Sequence, residues 1–139
     1  MAEGKNISLA FYGDDFTGST DALEFLSRAG VKTVLFLDNP TAEQIHRFGN
    51  PEAVGVAGMT RAMVPEEMSK TLSQAFSVLK SLNPRHVHYK VCSTFDSSPD
   101  FGNIGTAIET GARIFQNEFT PVLVAAPNLG RYSAFGNLY

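Results

Sequence analysis

Five mostly apolar runs, residues 7–12, 31–37, 53–57, 86–91 and 121–126, alternate along this chain with stretches of helical periodicity. Several are continuous rather than alternating in polarity, as in strands covered on both faces of a parallel sheet. Strand, helix and strand in succession require right-handed crossovers. The sequence therefore predicts an α/β fold, a doubly wound and mainly parallel sheet flanked by helices, in one domain over residues 1–139.

The helices carry their own punctuation. The first follows GDDFTGSTD, Gly13 to Asp21, and runs to about Ala29, with Ala22, Phe25, Leu26 and Ala29 on its apolar side and Gly30 as a carboxyl-terminal cap. A short second helix, Ala42 to Phe48, opens with Thr41 and Gln44 in capping-box spacing. The third starts at Pro65, carries Glu66 and Glu67 in its first turn, repeats Met68, Leu72, Ala75, Phe76, Leu79 and Leu82 on one face, and stops at Asn83-Pro84. The fourth spans about Ile104 to Gln116, with Asn103 as its amino-terminal cap and Ile104, Ala107, Ile108 and Phe115 turned inward.

In such a sheet the carboxyl ends of all strands share one edge, where ligands bind. The first strand delivers Asp14 and Asp15 there, the third Thr60 and Arg61, the fourth Lys90, Ser93 and Thr94, and the fifth Asn128 and Arg131. Carboxylates accept from hydroxyls, and Arg grips a carboxylate with two parallel bonds. This mixture suits a small polyhydroxylated acid better than an apolar ligand.

Blander roles compete for each residue. Asp14 and Asp15 can simply cap the first helix, and single cations at strand ends are often solvated. His86 and His88 share one face of a strand, but no third ligand lies near them in sequence, so no metal site is assigned. Cys92 has no sequence-adjacent His and acid to activate it and reads as a packing residue.

Other classes are excluded by composition or missing motifs. A net charge of −3 with eleven scattered Lys and Arg provides no stripe for a phosphate backbone, so nucleic acid is not expected. No apolar run approaches the roughly 20 residues of a membrane span, and the polar start MAEGKN suggests no signal peptide. One cysteine allows no internal disulfide and suits the cytoplasm. There is neither a GxxxxGK[ST] loop nor a GxGxxG fingerprint. A phosphoacceptor receiver needs an acceptor Asp after the third strand, where this chain has Gly58, Met59, Thr60 and Arg61.

Taken in order, DDFTG at Asp14 to Gly18 with Asp21, Thr60-Arg61, Tyr89-Lys90, Ser93-Thr94 with Gly102-Asn103, and APNLGR from Ala126 to Arg131 resemble the amino-terminal domain of the four-carbon acid sugar kinase family, which includes 3-oxo-tetronate kinases. The resemblance implies a sugar-acid-binding domain whose carboxyl-terminal companion, absent from these 139 residues, binds ATP and Mg2+. It implies Asp15 and Asp14 as catalytic carboxylates that orient or deprotonate the accepting hydroxyl. Arg61, Lys90, Ser93, Thr94, Asn103 and Arg131 would bind the substrate, a small-molecule sugar acid, and a homo-oligomer is compatible with it. The chain departs from the family in placing Cys92 where Asp is common, and in replacing a short Leu-Arg link with Phe95 to Phe101, where Asp96 or Asp100 is a candidate contributor with its role open; the departure points to a distinct subfamily with a related branched or oxidised substrate. A non-catalytic sugar-acid binding module is the alternative that uses the same edge.

Overall fold

The computed structural model describes residues 7–139; the polar start read above as lacking a signal peptide lies outside them. Four strands form a parallel sheet in the order β2 (Thr33–Phe36), β3 (Ala53–Ala57), β1 (Leu9–Gly13), β4 (His86–Lys90). The α/β fold with a mainly parallel sheet is therefore as the sequence predicts. In register, Leu9 to Gly13 face Ala53 to Ala57 on one side and His86 to Lys90 on the other. This central strand is buried from Ala10 to Gly13, which accounts for its unbroken apolar run.

Side-chain alternation divides the two faces. Ala10 and Tyr12 of β1 and Val56 of β3 pack with Met68, Leu72, Ala75, Phe76 and Leu79 of α3 (Pro65–Ser81) and Ala107 of α4 (Ile104–Phe115). The stripe read from the sequence is thus the main core. Aromatic edges tie it together: Phe76 meets Tyr12, Tyr89 and Phe115 with centroids 6.4, 6.1 and 5.5 Å apart. On the opposite face Lys90 reaches Gly18 at the start of α1 (Phe16–Arg28). Helices cover both faces.

The caps follow the sequence closely. Thr41 accepts from Gln44 N at 3.2 Å and donates its own amide to Gln44 Oε1 at 2.7 Å, so both capping-box bonds open α2 (Ala42–Arg47). Pro65 occupies the first turn of α3, where its missing N–H costs nothing. Asn103 accepts from Thr106 N at 3.0 Å to cap α4.

Two expectations are corrected. Residues 121–126 form no strand; Val122 and Leu123 are exposed, and Ala126 makes only an isolated bridge to Arg131. Pro121 lacks a donor, and apolar strand propensity without a ladder partner does not hold a strand. The last residues instead form a small hairpin of β5 (Ser133–Ala134) and β6 (Asn137–Leu138). In α1, Phe25 is 66% exposed and Ala29 is exposed, while Gly18 and Ser19 are buried and Leu23 and Leu26 half-buried. The helix turns its small amino-terminal residues to the sheet, because the first turn has to approach β1 closely.

Leu79 is fully buried between the helices and the sheet. Leu79→Ala should cost about 2–5 kcal/mol, read from the shift in urea midpoint at unchanged slope.

Candidate functional site at the carboxyl edge of the sheet

Asp14 ends the central strand between its two neighbours. Its amide donates to the Lys90 carbonyl at 2.9 Å, and its carbonyl accepts from the Arg61 amide at 3.1 Å. One residue thus fixes the ends of β1, β4 and the turn after β3. The residue is 4% exposed, and no protein group donates to its Oδ1. Burial raises its proton affinity above the ordinary carboxylate range and the charge of Asp15 adds to this, against the opposing effects of Arg61, the Cys92 amide and Lys90. A buried acceptor without a donor is costly and is found where function requires it.

Asp15 is engaged on both sides. It caps α1 by accepting from Gly18 N at 2.6 Å through Oδ1, and Oδ2 pairs with Arg61 Nη1 at 2.9 Å. A side chain at position 18 would collide with Asp15 Oδ1 and crowd Lys90 Nζ, so glycine there lets the acid and the cation come together. The capping role weighed from sequence is real for Asp15, and so is contact with a second strand's cation.

Arg61 lies in a single 3-10 turn, Thr60–Ala62. Thr60 anchors that turn: it is fully buried, and its hydroxyl lies 2.9 Å from the Tyr89 hydroxyl. Tyr89 stacks on Tyr12 at 6.1 Å, and burial pushes both phenols above their usual range. The other arm of Arg61, Nη2, pairs with Asp96 Oδ2 at 2.8 Å, which also accepts from Thr94 Oγ1 at 2.6 Å.

The segment after β4 folds back over this turn. Gly102 donates to the Met63 carbonyl at 3.0 Å with φ +57°, and a side-chain carbon there would come within 2.5 Å of the Arg61 carbonyl. Only glycine combines that backbone conformation with that approach. The result is a cleft of about 360 Å³ lined by Arg61, Asp96, Ser97, Ser98 and Phe101. A smaller one of about 170 Å³, lined by Tyr12, Leu37, Asn39, Gly58 and Met59 among others, lies further along the edge.

The structure thus brings Asp14, Asp15, Arg61, Lys90 and Thr94 into one neighbourhood. Ser93 is tied to Arg131 by a hydrogen bond from the guanidinium, so Arg131 approaches through a loop rather than the expected fifth strand. Asn128 stays exposed in a 3-10 turn, Pro127–Leu129. Asn103 is occupied locally, its amide oxygen on the α4 cap and its nitrogen on the Ser98 carbonyl at 3.0 Å. Sequence reading left the role of Asp96 and Asp100 open; the structure places Asp96 at the cleft and leaves Asp100 out of its lining, while Ser97, Ser98 and Phe101 were not singled out, the one signal being the departure from family spacing between Phe95 and Phe101. Among the described residues no group of three His, Cys, Asp or Glu side chains could hold a metal ion, and no glycine-rich phosphate loop occurs.

Two measurements check this geometry. Folding holds Asp14 more readily protonated than the unfolded chain does, so stability falls as pH rises from the ordinary carboxylate pKa to the raised one. Asp14→Asn should then melt on the order of 3 °C higher than the parent at pH 7, with the gain vanishing as pH falls below that window. Gly102→Ala should cost about 2 kcal/mol or more in denaturant unfolding.

Comparison with known proteins identifies the family of the fold. The family model described as "Sugar-binding N-terminal domain" matches residues 9–139. A 3-oxo-isoapionate kinase of Paraburkholderia graminis is 48% identical over 94% of this chain and 28% of its own length. A 3-oxo-tetronate kinase of Cupriavidus necator is 34% identical over 94% of this chain and 30% of its own. A crystal structure from Salmonella typhimurium superposes with a TM-score of 0.82 at 34% identity, covering 95% of this chain and 31% of that one. The chain spans about three-tenths of the length of these relatives, and no helix among its described residues is long and apolar enough to cross a membrane. With its matched region running from the first strand to Tyr139, the chain belongs to the family of sugar-binding N-terminal domains.

Proposed function

We propose that this chain is the substrate-binding part of an ATP-dependent kinase that phosphorylates a hydroxyl of a small sugar acid, a four-carbon or related 3-oxo acid. The observation that carries the reading is the unpartnered, buried Oδ1 of Asp14 beside the Asp15–Arg61 pair, in a chain whose relatives are named 3-oxo-isoapionate and 3-oxo-tetronate kinases. A substrate hydroxyl is the donor that Oδ1 lacks. Raised proton affinity suits Asp14 to take the hydroxyl's proton as the oxygen becomes a nucleophile. Asp15, held by Gly18 and Arg61, orients the site. Arg61, Lys90 and Arg131 hold the acid group, with the hydroxyls of Ser93 and Thr94 and the amide of Asn103 completing the edge.

ATP and Mg2+ belong, in this reading, to sequence outside these 139 residues, since the kinase relatives are more than three times as long. Phosphoryl transfer relies mostly on positioning and charge complementarity, so a domain that aligns the acceptor contributes to rate as well as affinity. The cytoplasm is the compartment the reading implies.

A polypeptide continuing past Tyr139, given ATP and a 3-oxo-tetronate or 3-oxo-isoapionate, should consume ATP in step with the sugar acid. Binding of the acid without ATP consumption would leave only a non-catalytic sugar-acid binding module. Asp14→Asn should lower kcat by about 10²-fold or more with the fold intact by circular dichroism, and Asp15→Asn should also abolish turnover. Full turnover in Asp14→Asn removes it as the base.

A further inference from the structure

Arg61 presents a planar fork of the kind that takes carboxylates and other oxyanions with two parallel bonds. Here one arm holds Asp15 at 2.9 Å, and the outward arm is taken by Asp96 at 2.8 Å. The Asp96 side chain is 59% exposed, against 27% for Asp15. The same Asp96 oxygen also takes the Thr94 hydroxyl at 2.6 Å. Two groups expected to bind the substrate, Arg61 and Thr94, are therefore already bound to a carboxylate, and that carboxylate comes from the chain itself.

The segment that supplies it is anchored beyond Asp96. Ser98 and Phe101 bond each other in both directions, Ser98 Oγ to Phe101 O and Phe101 N to Ser98 Oγ, each at 2.9 Å, and Gly102 is tied to Met63. Before Asp96 the backbone is unfavourable: Phe95 has φ +58°, a conformation that bulky residues rarely adopt. Asp96 thus sits between a strained residue and a fixed turn, at the wall of the larger cleft. An exposed ion pair is weak enough for a ligand to displace.

We propose that Asp96 is a built-in competitor for the ligand's acid group: an incoming carboxylate displaces it from Arg61 and Thr94, and Asp96 thereby sets the affinity of the site and rejects weakly bound anions. The proposal rests on reading this edge as an acid-binding site. It makes Asp96 a specificity-setting residue that acts through Arg61, and it gives the 95–101 segment a function that its departure from family spacing leaves unexplained.

Calorimetric titration with two probes separates the possibilities: sodium sulfate, which tests Arg61 alone, and erythronate, a four-carbon sugar acid. At low ionic strength Asp96→Asn should bind both about fivefold tighter than the parent protein, since an exposed pair of this kind holds on the order of a fivefold equilibrium. Asp96→Glu, which keeps a competing carboxylate, should stay within about twofold of the parent protein. Asp100→Asn removes the same charge from the same segment and controls for the general field; it should also stay within about twofold. Asp96→Ala provides the same test should the amide variant melt early. Sulfate affinity in Asp96→Asn no higher than in the parent overturns the proposal, as does an equal gain in Asp100→Asn or no binding of either probe by any variant. A sulfate gain with no erythronate binding in any form leaves the competition standing and removes the sugar-acid reading instead.

Discussion

Placing β1 between β3 and β4 is the constraint from which the rest of the site follows. Because the central strand has neighbours on both sides, the residue just beyond its last hydrogen-bonded pair, Asp14, is held through its backbone by both Lys90 and Arg61. A side chain leaving at that point has protein on three sides and the first helix turn beside it. A carboxylate there loses its water and gains little in return, and the raised proton affinity of Asp14 is the consequence. An exposed edge strand carrying the same two acids would present two ordinary, solvated carboxylates.

Asp14 and Asp15 are neighbours in sequence yet are treated differently by the fold. Asp15 leaves the strand at the helix start, where Gly18 N and Arg61 satisfy its two oxygens. Asp14 retains one unsatisfied oxygen. In the proposed reading the pair divides into a carboxylate that locates Arg61 and one that takes a substrate hydroxyl, a separation of roles by environment that acid-base sites commonly use. Beside it, Thr60 fixes the turn that carries Arg61 by its hydroxyl contact with Tyr89, which stacks on Tyr12.

Much of this was legible in the sequence because it depends on period and local chemistry. The α3 stripe, the Thr41–Gln44 box, the Pro65 start and the Asn103 cap each rest on residues within a few positions of one another, and each appears in the structure as read. Sheet-edge geometry was legible for the same reason: parallel topology alone brings Asp14, Arg61 and Lys90 together. What escaped depends on partners distant in sequence. Residues 121–126 have strand composition but no ladder, and composition cannot tell whether a neighbour will be there. Phe25 has helical spacing but faces outward, because the close approach of the first turn of α1 decided the helix's rotation. Asp96, a candidate whose role the sequence left open, meets Arg61 across a segment that Gly102 turns back with a positive φ, and nothing about an isolated FDSSPDFG stretch announces that return.

The central claim is that Asp14 and Arg61 together read a hydroxyl and an acid group of one small ligand. A crystal structure of the protein with erythronate tests it most directly. The account predicts the ligand carboxylate on Arg61 and a ligand hydroxyl within about 3 Å of Asp14 Oδ1. A ligand bound without either contact, for example wholly within the neighbouring cleft between Leu37 and Met59, would contradict it.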